Sequence, residues 1–255
     1  MAPAILFVVD GLRPDALSPQ SAPVLTDLMA HGRNSMTART VMPSVTLPCH
    51  MSLFHSVAPG RHGVTTNTWT PQVRPVLGLF DVARQAGLRA AAFYNWEELR
   101  DLWRPGAVET ACYWHDNKTP EGDRSIAHMA ATRLSAEPYD LAFVYLGHTD
   151  SAGHRDGWLS PYYAAAVANA DACIGQVLAA LPSGWTAFVV ADHGGHERSH
   201  GTEAPEDMTI PVIMAGQGLA PARLNGQVSI LDIAPTIAAL AGLAAPDEWE
   251  GRSLL

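Results

Sequence analysis

Short apolar runs broken by polar residues recur along the chain at intervals that suit alternating strands and helices. Residues 4–10 (AILFVVD), 89–95 (RAAAFYN), 140–150 (DLAFVYLGHTD), 186–195 (TAFVVADHGG) and 210–216 (IPVIMAG) predict strands. Their hydrophobicity is nearly continuous rather than alternating, which fits strands covered on both faces, as in a parallel sheet. Apolar residues at helical spacing predict helices over 23–31, 79–86, 123–136 and 161–181. Gly32 and Gly87 stand where a helix-ending glycine is expected. A last helix is expected from near Asp232, with Pro235 in its first turn, to Gly242. The segment 96–122, rich in Trp, Pro and Gly, predicts loop and short helix at the rim. The alternation as a whole predicts an α/β fold, doubly wound, with a mostly parallel sheet sandwiched between helices in one domain over residues 1–255.

Composition narrows the class without changing it. At 255 residues, 47% hydrophobic and 16% charged, the chain has the makeup of an ordinary globular protein. Its net charge of −9, with Lys118 as the one lysine and no basic run, argues against a nucleic-acid polymer as partner. The three cysteines, Cys49, Cys112 and Cys173, are widely spaced and form no CxxC pair. A disulfide framework is not expected, and a reducing, cytoplasmic compartment is. The opening MAPAILFVVD meets a charge at position 10, too early for a secretory segment. No apolar stretch approaches the roughly eighteen residues that would cross a membrane, so no membrane association is expected.

In open α/β sheets, ligands bind beyond the carboxyl ends of the strands. The polar residues there are Asp10 after the first strand, Asp150 after DLAFVYL, and Asp192 with His193 after TAFVV. His154 follows Asp150 by four residues, and His200 follows His193 by seven. Singly, each has a plain structural explanation: an Asp ending a strand caps a turn or helix, and histidine pairs arise by chance in a chain with eleven of them. The same residue types at three successive strand ends predict a metal site instead. The mix of oxygen and nitrogen donors suits zinc, with manganese or iron as competitors.

The second constellation is MPSVTLPCHMSLFHSVAPGRHGVTTN, residues 42–67. A threonine hydroxyl is a poor nucleophile at neutral pH unless a divalent cation lowers its pKa. If Thr46 begins a helix, the free backbone N–H groups there would also face phosphoryl oxygens. From this stretch alone, Thr46 as a simple helix cap is the better reading.

Together these segments resemble the alkaline phosphatase superfamily, most closely its nucleotide pyrophosphatase/phosphodiesterase branch. The resemblance runs from VVDGLRPD to VSILDIAPTIAALAGL, nearly the whole chain. The Asp of that family's opening VxDGxR matches Asp10, and its nucleophilic Thr matches Thr46. Its Asn that binds a nonbridging phosphoryl oxygen matches Asn67, twenty-one residues on. DxxGH matches Asp150 and His154, DHG matches Asp192 and His193, and the closing HG matches His200 and Gly201. The resemblance implies two divalent metal ions, one held by Asp150, His154 and His200, the other by Asp10, Asp192, His193 and Thr46. It implies hydrolysis of a small-molecule phosphate ester, at phosphodiester or pyrophosphate bonds, through a covalent phospho-threonine. Asn67 and the Leu47 N–H would steady developing charge.

Departures from the family pattern shape the expectation. Cys49 stands where relatives often have Asn and is read as a small packed residue. Only Gly194 to Ser199 separate DHG from the last His, where larger members carry a cap, so the site is expected to be open. Its pocket would be shallow, or completed by 96–122 or another subunit. His196 competes with His200 as a ligand, and the glycine after His200 favours the latter. His148 is either a donor to a ligand carboxylate or a packed polar residue. Ser44 is the alternative nucleophile, and the Asn67 spacing favours Thr46. The sulfatase branch needs CxPxR, whereas Cys49 is followed by HMSL. No basic residue clearly clamps a monoester dianion, leaving Arg13, Arg61 and Arg198, and this favours a diester. A phosphonate (phosphonoacetate-like) hydrolase or a phosphomonoesterase is the enzymatic alternative, a phosphomutase having no room for its specificity domain. A non-catalytic metal-binding interaction module is the reading of another class.

Overall fold

The computed structural model describes residues 2–255. In chain order the elements are β1 (Ala4–Val9), α1 (Pro23–His31), β2 (Arg33–Arg39), α2 (Thr46–His55), α3 (Pro59–His62) and α4 (Leu79–Gln85). Then come β3 (Ala90–Tyr94), β4 (Thr110–Tyr113), α5 (Pro120–Ala136), β5 (Leu141–Leu146), α6 (His148–Asp156) and α7 (Pro161–Ala180). The chain ends with β6 (Thr186–Val190), α8 (Pro205–Met208), β7 (Thr209–Ala215), β8 (Ala222–Arg223) and α9 (Ile233–Leu240). The eight strands among the described residues form one sheet in the order β4-β3-β5-β1-β6-β7-β2-β8. Only β7 runs against the rest, pairing antiparallel with β6 and β2.

The continuous apolar runs lie where the double coverage is. Every residue of β1, β5 and β6 is buried, with β1 between the other two and parallel to both. Helices α1, α5 and α6 pack around α7, while α2, α3, α4 and α9 form a second group. Because β1, β5 and β6 are adjacent and parallel, their carboxyl ends open on the same edge of the sheet. The segments after them therefore start side by side.

Several boundaries differ from the sequence-based expectation. The run 140–150 is strand only to Leu146, and at His148 it becomes α6. Asp150 thus sits in the first turn of a helix, and His154, four residues on, follows on the same face. Gly32 ends α1 at φ −132°, an extended and not a left-handed conformation. It is small for another reason: a Cβ there would lie 2.2 Å from the Met214 carbonyl. β2 was not expected, because RNSMTAR is polar. It is held by pairing with β7, and its buried Asn34 donates to the Met29 carbonyl at 3.0 Å. The segment 96–122 is a short 3-10 turn, Glu97–Asp101, followed by the edge strand β4, whose burial alternates. Between β6 and β7 only a loop and α8 intervene, so no cap domain is inserted there.

Candidate active site

The chain leaves β1 at Asp10 and turns through Gly11, whose φ of +66° is open to glycine at little cost. A side chain at Gly11 would also press on Asp150, whose Cα and Cβ lie 3.2 Å from a Cβ placed there. The Gly11 N–H donates to Asp192 Oδ1 at 3.2 Å, and its carbonyl accepts from Trp158 Nε1 and Tyr163 Oη, each at 2.9 Å. One glycine thus ties together the segments following β1, β5 and β6.

Two groups of ligand-type side chains result. Asp10, Asp192 and His193 form one, Asp150, His154 and His200 the other, and within each the donor atoms all lie within 4.8 Å of one another. The groups adjoin: the His193 and His200 rings stack with centroids 3.8 Å apart and planes 13° from parallel.

The histidine tautomers follow from their neighbours. A backbone carbonyl can only accept, so a ring nitrogen beside one must carry the proton. Nδ1 of His193 faces the Gly194 carbonyl at 2.8 Å, that of His200 faces Ser44 at 2.8 Å, and that of His154 faces Arg198 at 2.9 Å. Each ring's Nε2 lone pair therefore turns inward. There it meets carboxylates: His193 Nε2 is 3.2 Å from Asp10 Oδ1 and 3.5 Å from Asp192 Oδ2. His154 and His200 Nε2 are 3.4 and 3.6 Å from Asp150 Oδ1.

Those same three oxygens, Asp10 Oδ1, Asp150 Oδ1 and Asp192 Oδ2, are buried without a hydrogen-bond partner. Buried acceptors without donors are rare and costly. Here three of them face three imidazole lone pairs, an arrangement that cations relieve directly and that, without them, only protonation can relieve. The donor set therefore fits two divalent metal ions. Without them the carboxyls resist ionisation. Burial, then the charge of Asp192, raises Asp10 well above its ordinary value. Burial, then Asp10, pushes Asp150 up to about 7. Burial is also the main cause that takes Asp192 to about 8. His200 is pushed down to about 3, first by burial and then by His193, so its ring is neutral and able to bind a cation.

Thr46 is the first residue of α2, buried, with Oγ1 3.3 Å from His193 Nε2. It thus lies against the Asp10 group. Asn67 Oδ1 accepts the Leu47 N–H at 3.0 Å, so the loop carrying Asn67 folds back on the first turn of α2. That amide is engaged by Asn67 and is not free in this state.

The competing residues are placed elsewhere. His196 belongs to neither group; its Nδ1 is 2.7 Å from Asp207 Oδ1. Ser44 donates its hydroxyl to the Thr202 carbonyl at 2.9 Å. Cys49 is fully buried, and burial raises its thiol pKa, as suits a packing residue. His148 is also buried; its Nε2 meets Tyr162 Oη at 3.2 Å and bonds no ligand carboxylate. Arg13 bonds the Gly195 carbonyl and Asp15, and Arg61 bonds the Arg74 carbonyl. Of the segment 96–122, Asn117 borders α6, its carbonyl accepting, at 2.8 Å, the hydroxyl of Ser151 next to Asp150, while segment 100–105 lies elsewhere. With Trp69 and Pro71, segment 100–105 lines a cavity of about 430 Å³ beside Met51 and His55, farther along α2.

Other contributors had weaker sequence signals. Tyr145, inside the apolar run of β5, donates its hydroxyl to Asp10 Oδ2. A tyrosine in a fully buried strand needs such a partner, and that was the available clue. His50, one turn into α2, donates to the Thr46 carbonyl at 2.8 Å and lies beside Asp192 Oδ2 at 3.5 Å. Asp123 and Asn95 hold the start of α6: Asp123 Oδ1 accepts the His148 N–H at 3.3 Å, and Asn95 Oδ1 accepts the Gly147 N–H at 3.2 Å. Nothing local in the sequence links them to Asp150.

Comparison with known proteins gives a consistent picture. A curated 2,3-bisphosphoglycerate-independent phosphoglycerate mutase of Methanosarcina acetivorans is 32% identical over 148 residues, which is 55% of this chain and 28% of the mutase. The chain thus spans under a third of that relative's length. A putative sulfatase structure from Bacteroides thetaiotaomicron superposes over 99% of this chain and 73% of its own, with a TM-score of 0.81 at 16% identity. Murine ectonucleotide pyrophosphatase/phosphodiesterase 5, an inactive variant in complex with AMP, superposes over 96% of both chains with a TM-score of 0.81 at 14% identity. At such identities the likeness is one of fold. The model of the type I phosphodiesterase / nucleotide pyrophosphatase family, in contrast, matches residues 4–209 of the sequence itself. That match covers most of the chain and all the ligand-type residues above, and on it the chain belongs to the type I phosphodiesterase / nucleotide pyrophosphatase family.

Proposed function

We propose that this protein is a two-metal hydrolase of small-molecule phosphate esters, acting on phosphodiester or pyrophosphate bonds with Thr46 as nucleophile. The observation that carries this reading is the position of Thr46 Oγ1, 3.3 Å from His193 Nε2 at the start of α2, beside three buried carboxylate oxygens without donors. Asp10, Asp192, His193 and Thr46 would hold one ion, and Asp150, His154 and His200 the other. Zinc suits these donors best, with manganese or iron as competitors. When bound, the ions supply Lewis acidity for the attacking and leaving oxygens of an in-line displacement.

The chain's own groups do the rest. Thr46 Oγ1 forms the new bond to phosphorus as the leaving alcohol or phosphate departs, giving a phospho-threonine that still carries the remaining ester group. Water then displaces Thr46 and restores its hydroxyl. Because Asn67 uses Oδ1 to accept the Leu47 N–H, its Nδ2 is left to donate to a nonbridging phosphoryl oxygen. The backbone-fixed Nδ1 protons keep each His Nε2 available without rotating the ring. Preference for a diester over a monoester dianion is supported by Arg13 and Arg61, whose guanidinium groups bond the Gly195 carbonyl and Asp15, and the Arg74 carbonyl; Arg198 is the remaining candidate clamp.

A substrate panel tests the reading. Metal-loaded protein, with metal content measured on the same sample, is assayed on bis-p-nitrophenyl phosphate, p-nitrophenyl phosphate and a phosphonate monoester. Faster turnover of the diester is expected. Protein that binds two ions and cleaves none of the three is the interaction module instead.

A further inference from the structure

The two ligand groups share one short loop: His193 belongs to the first, His200 to the second, and Gly194 to Ser199 are all that separate them. Within the loop the backbones of His196 and Ser199 pair, at 3.0 and 2.9 Å, but this pairing does not reach His193 or His200. The loop is held by Asp207, a fully buried residue of α8 that belongs to neither group.

Asp207 grips the loop at three places. Its backbone carbonyl accepts the Gly194 N–H at 2.8 Å, directly after His193. Its Oδ1 meets His196 Nδ1 at 2.7 Å, in the middle. Its Oδ2 accepts both the Thr202 N–H, at 2.9 Å, and the Thr202 hydroxyl, at 2.8 Å, two residues beyond His200. The neighbouring Glu206 carbonyl adds a bond from the Gly195 N–H at 2.9 Å. From Thr202 the connection returns to the site, since the Thr202 carbonyl accepts Ser44 Oγ and the Ser44 carbonyl accepts His200 Nδ1. Burial alone would raise the Asp207 pKa, but the bonds from His196 and Thr202 outweigh it and hold the carboxyl below its ordinary value.

We propose that Asp207 is a positioning residue that fixes the register of the 193–202 loop, so that His193 and His200 present their Nε2 atoms to adjoining metal sites. This rests on the two-metal reading above. His196 and Thr202 are the two arms through which the Asp207 side chain acts. His196 is thereby explained as part of the scaffold of the site, although its place in DHGGH makes it look like a ligand.

The test compares wild type with Asp207→Ala, Asp207→Asn and Thr202→Ala. Zinc stoichiometry and affinity are measured by chelator competition, kcat and KM on bis-p-nitrophenyl phosphate, and unfolding of the metal-stripped proteins. Asp207→Ala is expected to weaken zinc binding about tenfold or more and to lower kcat with KM little changed. Asp207→Asn, which retains one acceptor, should recover part of the loss, and Thr202→Ala should show a smaller change in the same direction. If Asp207→Ala does not fold, Thr202→Ala carries the comparison alone. Folded variants with wild-type zinc affinity and wild-type kcat, even at lowered thermal stability, overturn the proposal. Wild type that binds no zinc overturns the two-metal reading itself, so the two failures are distinguishable.

Discussion

His193 Nε2 lies 3.2 Å from Asp10 Oδ1, and with the carboxylate ionised neither atom has a proton to place between them. The His193 proton is on Nδ1, facing the Gly194 carbonyl, and Tyr145 serves the other Asp10 oxygen. Asp192 Oδ2 at 3.5 Å adds a further lone pair, and the Thr46 hydroxyl lies at 3.3 Å. A cation removes this repulsion. Metal should therefore stabilise the fold as well as activate it. Stripping with a chelator is expected to lower the unfolding temperature, and zinc at a hundred times its dissociation constant should restore about 2.7 kcal/mol per site. Identical unfolding curves with and without zinc contradict this.

Tyr145→Phe removes the donor to Asp10 Oδ2 and leaves a buried carboxylate oxygen without a partner. The expected loss is about 1–3 kcal/mol of stability in the metal-stripped protein, read from urea unfolding. A neutral substitution would mean that the hydroxyl does not hold Asp10.

Asp123→Ala should act on the other ligand group without touching it. Gly147 has no side chain to cap α6, and Asp123 does so from α5. A loss of about 1–2 kcal/mol is expected, with Asp123→Asn recovering much of it through its remaining acceptor. Equal stability of Asp123→Ala and wild type in urea unfolding would contradict this capping role.

The pH dependence of the metal-stripped protein has a definite sign between about pH 6.5 and 8. Above about pH 6.5 histidines in the unfolded chain are more than half neutral, so the opposing contribution of His50 and His200, pushed down to about 3 by burial and neutral in the fold, fades across this window. The carboxyls behave oppositely. Asp150 and Asp123 at about 7, and Asp192 at about 8, keep protons in the fold that the unfolded chain has already lost. The native state then binds more protons, so stability falls as pH rises through this window. Bound metal keeps the ligand carboxylates ionised and should flatten the slope. Thermal unfolding from pH 6.5 to 8, with and without zinc, checks both statements; a metal-free protein that gains stability across this range contradicts them.

What was legible in the sequence were features carried by local pattern. The unbroken apolar runs of β1, β5 and β6 marked doubly covered strands, and residues beyond their ends marked the site because parallel neighbours finish on one edge. What was not legible depends on partners distant in the chain. RNSMTAR is a strand because β7 lies beside it, and the 140–150 run stops at Leu146 because Asn95 and Asp123 hold the start of α6. Asp207 has no sequence mark at all, since its contacts with Gly194, His196 and Thr202 exist only once the loop is folded. The twenty-one-residue spacing from Thr46 to Asn67 corresponds to the contact between Asn67 and the Leu47 N–H, a relation that periodicity could not reveal.

The central claim is that Thr46 bonds to phosphorus, and trapping that bond tests it most directly. Zinc-loaded protein mixed with bis-p-nitrophenyl phosphate is acid-quenched within a turnover, digested and analysed by mass spectrometry. The account predicts a p-nitrophenyl phosphoryl adduct on Thr46, with none in Thr46→Ala, which keeps its metal but loses activity by about a thousandfold or more. An adduct on Ser44, or a Thr46→Ala variant that turns over at the wild-type rate, would contradict it.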